Sequence, residues 1–110
     1  MADQSPIFVK TEAFIVWLFG HTAKFPKHER FRLALEIDRA LLAFHEQILR
    51  AAQSDQPKLY LQEADIQLDK LRAYLRLALE LKYTAPNQYQ FAAKHVTEIG
   101  KLLGGWSKKA

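Results

Sequence analysis

Three short interruptions, Phe25-Pro26-Lys27-His28, Ser54-Asp55-Gln56-Pro57 and Thr84-Ala85-Pro86-Asn87, cut this chain into four stretches of similar length. Each sets a proline where a helix enters its first turn, a position whose N–H has no intrahelical partner, with Ser, Asp or Thr close by as a capping candidate. The stretches between them are too long, and too rich in Ala, Leu, Glu, Lys and Arg, for strands. Breaks of about four residues join antiparallel neighbours. The punctuation therefore predicts an all-α protein: one domain over residues 1–110, an up-down-up-down antiparallel four-helix bundle with helices at roughly 7–23, 27–53, 58–83 and 86–106. At 110 residues, with 49% apolar residues, the chain can bury a single core.

Periodicity says which faces turn inward. Phe8, Thr11, Ile15, Leu18 and Thr22 fall on one stripe of the first helix, with Phe14 and Trp17 beside it. The second repeats Ala34, Ile37, Leu41, Phe44, Ile48 and Ala52, flanked by Phe31, Leu35, Leu42 and Leu49. The third repeats Ala64, Leu68, Leu71, Leu75 and Ala78, with Tyr74, Leu77 and Leu81 on a neighbouring face; the fourth repeats Tyr89, Ala92, Val96, Ile99, Leu103 and Trp106. Steps of three and four pack neighbours at shallow crossing angles. The second and third helices are apolar over more than one core requires, and such excess on a soluble bundle marks contact with another chain, so a homo-oligomer is expected.

Charge is uneven. The net +4 arises wholly in the second half: residues 1–55 carry seven Lys/Arg against seven Asp/Glu, residues 56–110 nine against five. Clustered positive charge favours an anionic partner. Aromatic residues do not interleave with the basic ones, so any nucleic-acid contact is expected to be with phosphates, weakly sequence-selective and salt-dependent. Zero Cys removes disulfides and thiolate chemistry and fits a reducing compartment. No segment approaches a membrane span, and Met1-Ala2-Asp3-Gln4-Ser5-Pro6 lacks a basic flank or cleavage pattern, so a cytoplasmic protein is expected.

The closing segment concentrates the functional signals. Gly100 and Gly104 leave a stripe almost without side chains, suited to close helix or subunit contact, beside Trp106 on the core stripe. Lys94, Lys101 and Lys108 stand seven apart as a cationic ridge. Lysine near a helix C-terminus favours the dipole, which accounts for Lys108 but not for Lys94 and Lys101. On the third helix, Asp65, Asp69, Arg72, Arg76 and Glu80 read as an exposed face with intrahelical ion pairs, each worth roughly 0.2–0.5 kcal/mol. Arg72 and Arg76 fit that reading poorly: they are four apart, repel each other, and can fork onto phosphate or carboxylate.

Catalysis finds no support. There is no phosphate loop, no nucleophile elbow, no pair of histidines at metal-ligand spacing and no Glu-x-x-His, so no catalytic residue, metal or cofactor is expected. The hydroxyls Ser5, Ser54, Ser107, Thr11, Thr22, Thr84 and Thr97 read mostly as helix-end residues suited to capping. His21, His28, His45 and His95 read as surface or interface residues.

Phe25-Pro26-Lys27, Leu71-Arg72-Ala73-Tyr74-Leu75-Arg76-Leu77-Ala78 and Glu98-Ile99-Gly100-Lys101-Leu102-Leu103-Gly104-Gly105-Trp106 together resemble the accessory variability proteins (Avd) of diversity-generating retroelements. These sit in a wider four-helix group that includes proteins encoded in 23S rRNA intervening sequences. The likeness runs from about Phe25 to Trp106. It implies a barrel-like homopentamer with positive surface, no chemistry of its own, and binding to a reverse transcriptase and its template RNA or cDNA during mutagenic copying. It implies that Arg72 and Arg76, matching two arginines of the family's third helix, contact polymerase or nucleic acid. Lys101 matches the basic position of the closing motif, and Lys94 adds to the same field. The alternative is an interaction protein of the intervening-sequence type with no polymerase partner; a metal-dependent bundle enzyme lacks ligand pairs.

Overall fold

In the computed structural model, which describes residues 5–110, the chain folds as α1 (Pro6–Thr22), a 3-10 turn (Lys27–Glu29), α2 (Leu33–Ala52), α3 (Lys58–Glu80) and α4 (Pro86–Lys109), with no strand among the described residues. The opening residues Met1 to Gln4, read for a leader, lie outside the described residues. Each helix packs on its neighbour in sequence, and α1 also packs on α4, so the four close a ring around one core. Leu18, Ile37, Leu41, Phe44, Ile48, Leu68, Leu71 and Ile99 are wholly inaccessible. Each such side chain contributes about 1.5–3 kcal/mol through burial. All five residues of the expected α3 stripe are buried, as are Ala92, Val96, Ile99 and Leu103 of α4.

α2 starts at Leu33, six residues after the proline-marked start near Lys27. The cause is Glu29, an acid buried at the turn. Its Oε1 accepts the Leu33 N–H at 3.3 Å, supplying one of the donors a helix start leaves open, and its Oε2 accepts the Tyr83 hydroxyl at 2.7 Å. Turning that carboxylate inward interrupts the helix: Arg32 sits at φ −121°, ψ −111°, off helical geometry. α3 stops at Glu80, short of Tyr83. Lys82 takes the left-handed conformation at φ 66°, and the Tyr83 and Lys82 amides donate back to the carbonyls of Ala78 and Leu79. That Schellman closure usually carries glycine. α4 continues past Trp106 to Lys109.

The expected apolar excess is redistributed. α2, packed against both α1 and α3, consumes most of its breadth, leaving Leu42 exposed on the helix and Phe31, 78% exposed, in the turn before it. α3 does keep an outer apolar row in Leu59, Ile66, Leu77 and Leu81. The unforeseen surface is on α1, which is apolar nearly all round. Its two charges lean onto flanking helices: Lys10 Nζ meets Glu98 Oε2 on α4 at 3.1 Å, and Glu12 Oε2 meets His45 Nε2 on α2 at 2.9 Å. Between them Val9, Ala13, Val16 (75% exposed) and Gly20 face outward.

Candidate nucleic-acid interface

The register of α3 against α4 sets the site. With Leu68, Leu71 and Leu75 in the core, Arg72 and Arg76 fall on the flank of α3 that faces α4. There they line one cleft of about 180 Å³ with Leu75, Tyr89, Ala93, Val96 and Thr97. Arg72 Nη1 bonds Asp69 Oδ1, one turn back on α3, at 2.6 Å. Arg76 is exposed and pairs with no carboxylate among the described residues. Glu80, four residues ahead of Arg76, does not reach it, and Asp65, expected to share an intrahelical pair, makes none; Asp69 alone of these acids is engaged. The cleft is thus lined by two arginines of α3, of which only Arg72 is paired, to Asp69, with Tyr89 and Thr97 on its α4 side.

Gly100 borders the same side chain. A Cβ built there would stand 2.7 Å from Arg72 Nη2 and 3.6 Å from Leu68 Cδ2. The close approach at this glycine is thus made by a guanidinium of the same chain. Gly104 has nothing within 4 Å of its Cβ direction and lies open.

The remaining expected residues separate from the arginines. Lys101 and Trp106 meet in a larger pocket of about 670 Å³ at one end of the bundle, where the start of α1, the end of α2 and the last turns of α4 come together. Trp106 is half-buried with its ring 6.3 Å from Phe8, so it is a core-edge residue as well as a pocket wall. Lys94 is exposed and enters neither space; together with Lys10, the main cause, it holds the Glu98 carboxyl below the usual range.

His21, Thr11 and Thr84 depart from expectation, whereas His28 lies exposed as expected and Ser54 accepts the Gln56 N–H at the entry to α3. His21 is a core residue, buried to 7% exposure, sharing a 2.8 Å hydrogen bond with the Thr84 hydroxyl and stacked 5.0 Å from Trp17. Burial, helped by Lys24, pushes its pKa down. His95 stacks on Phe14 at 5.6 Å, and His45 pairs with Glu12. Thr22, the last residue of α1, sets its hydroxyl 3.4 Å from the Phe19 carbonyl of its own last turn and donates to Asp38 on α2 at 2.9 Å, and burial raises the Asp38 carboxyl against that bond's opposite pull. Thr84 serves His21, and Thr11 is buried in mid-helix with its oxygen unpartnered. None of the four helices shows a side-chain N-cap bond from its first flanking residue. α4 instead starts with Gln88 Oε1 accepting the Ala85 N–H at 2.8 Å. Sequence reasoning missed the latch of Glu29, Tyr83 and His21, although an acid two residues past a Pro-Lys turn was the available signal for Glu29.

Four helices closed around one core, with an arginine pair on the α3/α4 seam, define a small basic all-α protein. The chain belongs to the bAvd-like family, whose model matches residues 7–110. The match accords with the resemblance to accessory variability proteins and extends it through α1. No curated protein matches the chain. No described helix is long and apolar enough to cross a membrane.

Proposed function

We propose that the chain is a non-enzymatic accessory protein of a diversity-generating retroelement. It holds a reverse transcriptase together with its template RNA or cDNA on a positive surface and so supports mutagenic cDNA synthesis in the cytoplasm. In this reading a single domain, an up-down-up-down bundle, associates as a barrel-like homopentamer, and the outward apolar rows of α1 and α3 are its subunit contacts. Arg72 and Arg76 are the principal phosphate contacts. Lys94 and Lys101 extend the field along α4, and Gly104 and Trp106 lie at its edge.

The observation that carries this reading is the α3/α4 cleft, which two arginines line and where Arg76 pairs with no acid among the described residues. Guanidinium groups so placed suit phosphate, which they can engage through two parallel N–H donors. Family membership supplies the context. The test is copurification with a reverse transcriptase encoded beside the gene, followed by RNA binding at low salt. Replacing Arg72 and Arg76 with Ala should weaken RNA binding roughly tenfold or more and lower the salt slope by about 1 for each phosphate no longer neutralised. Retention of full affinity and slope by the double variant would remove the cleft from the mechanism.

A further inference from the structure

Glycine in a helix interior is destabilising by roughly 0.5–1 kcal/mol relative to alanine, and α4 carries Gly100, Gly104 and Gly105 within two turns. Gly104 and Gly105 have open space where a side chain would stand, so nothing in the described structure requires their bareness. Gly100 differs. The atom that a Cβ there would strike is Nη2 of Arg72, at 2.7 Å, with the guanidinium carbon at 4.0 Å; the only other neighbour, Leu68 Cδ2, is at ordinary contact distance.

We propose that Gly100 is a positioning residue for Arg72: the missing side chain is the seat on which the guanidinium lies, a role that rests on the reading of Arg72 and Arg76 as polyanion contacts. Two fixed points define the pose. Asp69 Oδ1 holds Nη1 at 2.6 Å from within α3, and the bare backbone of α4 at Gly100 receives Nη2. Between them the group is held 35% exposed, in the cleft it shares with Arg76. Arginine has several rotatable bonds and gives up considerable rotamer freedom when ordered. A seat that orders it before the ligand arrives removes part of that cost from binding. Because the obstructing atom is the far end of a flexible side chain, a methyl group at position 100 leaves the backbone in place and moves the guanidinium alone.

The experiment uses the full chain with Gly100→Ala, Gly104→Ala, Arg72→Ala and the Gly100→Ala/Arg72→Ala pair. It has two readouts: the Arg72 Nε–H signal by NMR, and anisotropy of a fluorescein-labelled single-stranded RNA at low salt, with circular dichroism melts to establish folding. The Arg72 signal should move in Gly100→Ala and stay in Gly104→Ala. Gly100→Ala should lose RNA affinity several-fold, and the double variant should bind no more weakly than Arg72→Ala alone. An unmoved Arg72 signal in a folded Gly100→Ala protein overturns the proposal, as does a Gly100→Ala loss that adds in full to that of Arg72→Ala. A moved signal combined with Arg72→Ala binding RNA normally upholds the seat and overturns the polyanion reading of Arg72.

Discussion

The turn that joins α3 to α4 and the cleft farther along the same pair of helices treat polar groups in opposite ways. At the turn, Glu29 accepts from Tyr83 and Leu33, His21 meets Thr84, and Thr22 meets Asp38. Each buried polar side chain there is matched, by partners from different elements. In the cleft, Arg72 shares one acid from its own helix and Arg76 pairs with none among the described residues. An unmatched polar group in the core is costly, whereas an unmatched cation at the rim costs little and stays available. The first arrangement ties separate elements of the fold together, and the second leaves a cation exposed.

The contrast breaks most readily at His21. Changing His21 to Ala strands the buried Thr84 hydroxyl and removes a ring stacked on Trp17, and should cost about 1–3 kcal/mol in urea unfolding. A loss below about 0.5 kcal/mol would place the turn among ordinary surface features. The pH dependence sharpens the same point with a smaller effect. His21 has a depressed folded pKa, so the unfolded chain takes up a proton first as pH falls past about 6.5. Stability should therefore be whole above that value and decline below it until the folded pKa is reached, and the decline should flatten in the His21→Ala protein. Glu29, also depressed, by its Tyr83 bond first, adds a second limb below about 4.5. Asp38 acts in the opposite sense, since its raised pKa gives stability at low pH that fades as pH rises through the folded value. The smallest expected change is at Arg76. Replacing it with Gln should leave thermal stability within about 0.5 kcal/mol of the parent, and a larger drop would mean the cation is committed to the fold.

What could be read in the sequence follows the range of each interaction. The stripes of α3 and α4 are legible because helical periodicity is local: Leu68, Leu71 and Leu75 announce their face within two turns. The arginine pair is legible for the same reason, being two positions on one helix. The latch is not, because its members lie 54 residues apart for Glu29 and Tyr83 and 63 for His21 and Thr84, and no local pattern marks them. The broken start of α2 and the early end of α3 follow from that latch. Apolar breadth points to α2 and α3 for the surplus surface, and α3 keeps its outer row. α2 instead buries most of its breadth against α1 and α3, whereas α1 hides its charges sideways and keeps a bare front.

That bare front stands on a helix packed directly against α4, the helix that carries Lys94, Lys101 and Lys108. Copies that joined through α1 would bring their ridges alongside one another, and like charges brought within a Debye length oppose closure. A polyanion laid across those ridges would relieve the strain it finds there. Assembly and cargo would then be thermodynamically linked, each raising the affinity for the other by the same factor.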